Sequence, residues 1–530
     1  MSKQAIITGV VLLLFSFLLL NILGCEKSSK QVKEPVTYTI GDPVGDWGYP
    51  SPYGMYPRGP GYIQMSFIFD TLVWKDKTGI IPALAEKWEY VKSENAYLFQ
   101  LRKAVTFHDG YPFTADDVVF TFSYIKEHPW LWVDSRIIKT AQRVNDHMVK
   151  VHLSRPFAPF LMNIAGVLPI LPKHLWENVT EPERFTEAGA TVGTGPFKLV
   201  DYNKAQGTYL YEAYKDYYLG RPIVDRIRFL RINPETAPAA LKRGEINACS
   251  VPPDIMQHMR DQGFTIEEEP PGWVVNLFIN HKKEPFRSRN FRHALAYAIN
   301  KTNIVQIVKK GHAVIGNPGL LPPSKGVWYS AENDCYEYDP AKARGILEDL
   351  GYSLGPDGYY QAEGQRLDLE LLIASPTEEE FIRTAEMIKK DLEGIGIKIA
   401  LRSLEAKTAD SRIQNWHFDL ALGGYGGLGG DPDVLRGVII EDNFNSARYD
   451  QNKELVRLLE NQVRQMSQEE RIQTVHEIQR IYAEELPSIT VYYKKWYWAH
   501  DGAVSLYYTP EGLGPGIPVP TNKLCFLEPH

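Results

Sequence analysis

Apolar and polar positions along the chain switch repeatedly between a period of two and a period near 3.6, so strands and helices are expected in alternation. Val36 to Ile40 is the first strand-like run, and Tyr97, Phe99 and Leu101 alternate with polar neighbours as on a half-buried strand. A turn at Asp109-Gly110 follows. Thr114 and Asp117 then make a capping-box pattern, opening a helix whose Val118, Phe122 and Ile125 share one face. Val149 to Leu153 reads as another strand, and Gly193-Thr194-Gly195-Pro196-Phe197 as a tight loop before a further one.

The pattern changes character after residue 272. Val274 to Ile279 is a strand-like apolar run, and Phe291, Leu295 and Ala298 fall on one side of a helix over 288–300. Asp339-Pro340 opens a helix that Gly351 closes. Leu367 to Ala374 alternates as a strand, Phe381, Ala385, Ile388 and Leu392 give Thr377 to Glu393 helical periodicity, and Ile397 to Leu401 is again a strand. A strand–helix–strand unit favours a parallel pair with a right-handed crossover. Another strand, Phe418 to Leu422, completes the picture of an α/β second half. No internal repeat or low-complexity tract interrupts it.

The N-terminus reads as an address. Lys3 is the only charge before Cys25, and Ala5 to Gly24 is nearly all apolar, as in a secretory signal. Ile22-Leu23-Gly24-Cys25 looks like a bacterial lipobox, which makes residues 1–24 a lipoprotein signal peptide, Cys25 the acylated residue and 25–35 a polar tether. The alternative is an uncleaved anchor, since a run of about 20 apolar residues spans a bilayer. Either places the bulk of the protein outside the cytoplasmic membrane (periplasm or cell surface) and attached to it.

Composition narrows the possibilities. The 530 residues suggest several folding units. With 58 basic and 65 acidic residues the net charge is −7, a balance that offers no basic excess to a polyanion, so nucleic acid is excluded as the expected partner. The 11 Trp, 30 Tyr and 22 Phe suffice for large cores and for the lining of a sizeable ligand pocket. Four cysteines exclude a disulfide scaffold. With Cys25 acylated, Cys249, Cys335 and Cys525 allow at most one internal pair.

Two motif matches lack the context their chemistry needs. Gly351-Tyr352-Ser353-Leu354-Gly355 fits a nucleophile elbow, but a helix precedes it where a strand is required. Gly424-Tyr425-Gly426-Gly427-Leu428-Gly429 fits a dinucleotide fingerprint, but Gly430-Asp431-Pro432-Asp433 follows where a helix should open. So many glycines instead let the backbone approach something closely. The histidines show no metal-ligand spacing, and neither a metal nor a cofactor is expected.

Six segments, in order, carry a resemblance: Ile80 to Trp88, Leu101 to Gly110, Thr114 to Phe120, Gly193 to Phe197, Pro285-Phe286-Arg287 through Asn300, and Tyr338 to Ala343. Together they are similar to family 5 extracellular solute-binding proteins, the receptor components of peptide- and nickel-type ABC importers. The resemblance implies a two-lobed, periplasmic-binding-protein-like α/β fold with two hinge strand crossings, near 270–278 and 488–497. It implies a first lobe of 36–68, 194–272 and 498–530, a subdomain inserted in it over 69–193, and a second lobe of 273–497. It further implies capture of a peptide or peptide-like solute by hinge closure, delivery to membrane permease subunits, no catalysis, and action as a monomer.

The loop Gly423 to Asp433, with Tyr425, Asp431 and Asp433, resembles the family's second-lobe ligand loop. In peptide binders an aspartate near this position pairs with the α-ammonium, and here alignment puts Leu428 there. Arg58, beside Tyr56 in a Gly/Pro-rich loop, offers a carboxylate a bidentate partner or is a surface arginine. Trp273, preceding the first crossing, and Tyr493, on the second, stack on a ligand or pack the hinge, and Trp416 is read as core. A nickel chelate, with His417 and His281 as the histidines nearest the cleft, or an oligosaccharide is the same-fold alternative. A lipid-anchored secreted hydrolase is the alternative of another class.

Overall fold

A computed structural model of the chain describes residues 35–56, 58–333, 336–374 and 379–528. Cys25, its leader and Cys335 lie outside these; Cys249 and Cys525 are both free and buried. All elements below belong to the unit Thr37–His530.

Two large sheets organise the molecule. The first has seven strands, in the order Thr265–Glu268, Tyr497–His500, Ala248–Val251, Thr37–Asp42, Arg226–Arg231, Thr208–Ala213 and Phe197–Asn203. The second has six: Ala313–Ile315, Ser488–Lys494, Trp273–Ile279, Leu420–Tyr425, Asp368–Ile373 and Lys398–Ser403. In the second sheet the expected strand–helix–strand unit is present. Asp368–Ile373 and Lys398–Ser403 pair in parallel, and the helix Glu379–Gly394 between them buries Phe381, Ala385, Ile388 and Leu392. Hydrophobic clusters around Phe291 and Ile388 and around Leu435 and Tyr482 pack on this sheet.

A third, four-stranded sheet runs Ala85–Val91, Ala96–Leu101, Met148–Leu153 and Ile138–Asn145. The alternation at its second strand buries Tyr97, Phe99 and Leu101. The helix Ala115–Glu127 beside it opens on a complete capping box: the Thr114 hydroxyl accepts from the Asp116 amide, and the Asp117 carboxylate accepts from the Thr114 amide at 2.9 Å. One continuous core joins this sheet to the seven-stranded one. A wholly buried ion pair fastens the same junction: Lys523 donates to Asp70 at 2.5 Å, with Tyr217 and Thr194 also donating to that carboxylate.

One element differs from expectation. The strand expected over Phe418–Leu422 instead runs Leu420–Tyr425, so Gly423 and Gly424 belong to a strand and the loop starts at Gly426. The reason is the Trp273 indole. A Cβ on Gly424 would lie 3.0 Å from its Nε1, and one on Gly426 would lie 2.8 Å from its six-membered ring. The glycines let the strand continue beneath a large ring.

Candidate functional site

Among the described residues two segments carry the chain between the large sheets. Glu269-Pro270-Pro271-Gly272 leads from Thr265–Glu268 to Trp273–Ile279, and Lys495-Trp496 leads from Ser488–Lys494 to Tyr497–His500. Trp273 pairs with Lys494 on one side and Glu268 with Tyr497 on the other. Between these pairs the Glu269 amide donates to the Trp496 carbonyl at 2.9 Å, and Lys495 donates to Glu268 at 2.5 Å. The two crossings therefore form one ribbon. The prolines stiffen its first strand, fixing φ at two successive positions.

A cavity of about 540 Å³ lies against this ribbon. The seven-stranded side contributes Asp42, Trp47, Arg58, Ser250, Trp498 and the segment 515–519. Trp132 comes from the segment between the helix Ala115–Glu127 and the strand Ile138–Asn145, Trp273, Gly426 and Gly427 from the six-stranded side, and Glu269 and Trp496 from the crossings themselves. Trp273 and Trp496 meet edge to face, with ring centroids 6.2 Å apart. Asp42 is fully engaged: its carboxylate accepts from the Val44 and Gly45 amides and from the Trp47 indole at 2.7–2.9 Å. Glu269 is not. It is 4% exposed, its Oε1 has no hydrogen-bond partner, and burial holds its carboxyl well above the usual carboxylate range.

Beside the cavity, backbone meets backbone. Gly516 packs on Gly430, so closely that a Cβ on Gly516, at φ +99°, would lie 2.7 Å from the Gly430 nitrogen. A buried lysine braces each loop: Lys75 donates to the Gly514 carbonyl at 2.7 Å, and Lys325 to the carbonyls of Gly429 and Gly430 at 2.8 and 2.7 Å. Burial pushes the Lys75 ammonium down to about 7, against the opposing pull of Glu511 and Asp431.

The profile of the bacterial extracellular solute-binding proteins, family 5 (middle region), matches residues 79–439 of this chain. The chain belongs to that family. This family 5 protein is 31% identical over 387 residues to the dipeptide-binding protein of Escherichia coli K12, covering 67% of this chain and 69% of the relative. It is 30% identical over 451 residues to the heme-binding protein A of Haemophilus influenzae, covering 79% of each. Its fold matches the crystal structure of NikZ from Campylobacter jejuni in complex with Ni(L-His), with a TM-score of 0.73 at 24% identity over 90% of this chain and 97% of that one. Relatives named for such different ligands leave the solute to be argued from this protein's own cavity.

Of the residues singled out from the sequence, Arg58 and Trp273 line the cavity. Tyr56 sits beside it, donating to Asp46 at 2.6 Å. Asp431 lines a neighbouring recess of about 280 Å³, with both its oxygens taken by the Arg471 guanidinium. Asp433 is buried against Arg436. Tyr425 packs in the core near Phe278, and Tyr493 is fully buried, its hydroxyl donating to the Leu320 carbonyl at 2.8 Å. These last three are absent from the cavity wall because each side chain faces the packed side of its own backbone. Leu428, at the position of the expected acid, is fully buried. His281 is buried with both ring nitrogens hydrogen-bonded, to the Ala447 carbonyl and the Gln451 amide, and among the described residues no group of three His, Cys, Asp or Glu is placed to hold a metal.

Sequence reasoning missed Glu269 and four of the five indoles. A signal was present. Trp496 and Trp498 alternate from the second crossing into the strand that follows it, and Glu269 ends an acidic triplet directly before Pro270-Pro271.

Proposed function

We propose that this protein is the extracytoplasmic capture subunit of an ABC importer, closing on a peptide or peptide-like solute and passing it unaltered to membrane permease subunits. One observation carries the reading: a cavity walled from both large sheets, against the two segments that join them among the described residues. A solute touching both walls stabilises the closed arrangement over the open one, and the closed form is what a permease recognises. The moving parts would be a first lobe of 36–68, 194–272 and 498–530, carrying 69–193 as an insertion, and a second lobe of 273–497; strand membership supports this division. The relative named for dipeptides supports the choice of solute. Mass spectrometry of the solute released when the purified protein is denatured tests it: a peptide is expected, and a sugar or metal chelate would overturn the solute class. Incubation of that peptide with the protein should leave it intact; cleavage would favour the hydrolase.

The protein acts, on this reading, as a monomer held to the membrane by acylated Cys25. Among the described residues no helix is long and apolar enough to cross a membrane. Cys25→Ser should release the protein from the membrane fraction, whereas retention there would favour an uncleaved anchor.

A further inference from the structure

We propose that the cavity is built for a cationic group on the solute, an ammonium or guanidinium, with the Glu269 carboxylate as its counter-ion and Trp273, Trp496 and Trp498 as its aromatic walls. This rests on the reading of the chain as a solute receptor and narrows the solute it takes.

The acidic triplet Glu267-Glu268-Glu269 makes the case by contrast. Glu268 is held by Lys495 at 2.5 Å, and Glu267 faces His500 at 3.8 Å. Glu269, the most buried of the three, has no ion-pair partner among the described residues, and its Oε1 accepts no hydrogen bond. A neighbouring titratable group, Tyr508, has a hydroxyl likewise buried without a partner, and burial keeps it protonated. A buried carboxyl left unmatched is a cost that folding alone has no reason to carry. A cation entering the cavity removes that cost by supplying the missing charge and donors.

The indoles fit the same guest. Trp273 and Trp496 form an edge-to-face corner, and both expose more than a third of their surface (36% and 38%). Cations are drawn to such ring faces. Trp496 already has the Lys494 ammonium 5.7 Å from its ring centroid, whereas among the described residues neither Trp273 nor Trp498 has a cation over its ring. Arg58, exposed on the cavity wall, is left to meet an anionic end of the solute.

The test is a tryptophan-fluorescence titration of the ligand-free protein with N-acetyl-Ala-Arg-Ala, N-acetyl-Ala-Ala-Ala and agmatine. The arginine peptide should bind at least about tenfold more tightly than the alanine peptide, and Glu269→Gln should erase the difference without lowering the melting temperature of the unliganded protein. Equal affinities for the two peptides, a preference that survives E269Q, or silence of both cationic probes overturns the inference. The peptide pair on the unmodified protein decides the matter even where the variant folds poorly. Agmatine binding with both peptides silent would keep the cation site and overturn the peptide reading. Binding of both peptides alike would do the reverse.

Discussion

The amide of Glu269 and the carbonyl of Trp496 are joined by a 2.9 Å hydrogen bond, and the side chains of the same two residues line one cavity. On the proposed function, hinge and binding surface are made from the same residues, so a guest in the cavity would bear directly on the segments that bend. Removing an indole should be felt in binding before it is felt in stability. Trp273→Ala should weaken solute affinity by about tenfold, the scale of one aromatic contact. Because Trp273 is 36% exposed, the melting temperature of the unliganded protein should change little. Calorimetric titration beside a melting curve checks both; unchanged affinity would remove Trp273 from the site.

The Gly516–Gly430 contact leaves no room for a methyl group. Gly516→Ala adds one at φ +99°, where side chains are also strained. The variant should bind solute at least about tenfold more weakly, because the two loops can no longer meet. Small-angle scattering with saturating solute should show a more open particle than the parent protein gives. A variant that closes and binds normally would show that this contact does not limit closure.

The buried pair of Asp70 and Lys523 makes a prediction about stability alone. Asp70→Asn leaves the Lys523 ammonium enclosed without a counter-ion, which typically costs about 3–5 kcal/mol. Glu245→Gln, at the exposed Arg243 pair, should leave the unfolding midpoint nearly where the parent has it, because water screens such a pair. Urea unfolding of the two variants side by side measures the contrast; similar midpoints would contradict it.

Two buried histidines set an acid limit. Burial pushes both His108 and His281 down to about 4 from an ordinary 6.5. Each sits as a neutral ring, with Nε2 donating to a carbonyl and Nδ1 accepting. Below pH 6.5 the unfolded chain takes up protons that the native state refuses, so stability falls as pH drops toward about 4 and levels off below it. The slope is about 1.4 kcal/mol per pH unit for each ring. His281→Gln should therefore narrow its stability gap to the parent as pH falls from 6.5 to 4; a constant gap would contradict the neutral assignment.

Local pattern revealed much of this protein and long-range contact the rest. The Thr114 capping box, the helix ending at Gly351 and the parallel unit around Glu379–Gly394 were legible because each is set by neighbours in sequence. Arg58 and Trp273 were legible as exposed charge and bulk beside loop and hinge. Tyr493 and Tyr425 were not separable from them, because which face of a strand meets the cavity depends on the packing of the opposite face. The Asp431–Arg471 pair joins residues 40 apart and turns a candidate ligand acid into an internal one. Glu269 was hidden for a converse reason: its two acidic neighbours have ion-pair partners, and only the fold reveals that it has none among the described residues.

Solution scattering of the protein with and without its co-purified solute tests the central claim most directly. Hinge closure predicts a smaller radius of gyration in the loaded state and a return to the larger one when the solute is removed. Superimposable profiles, with occupancy verified by mass spectrometry, would contradict it.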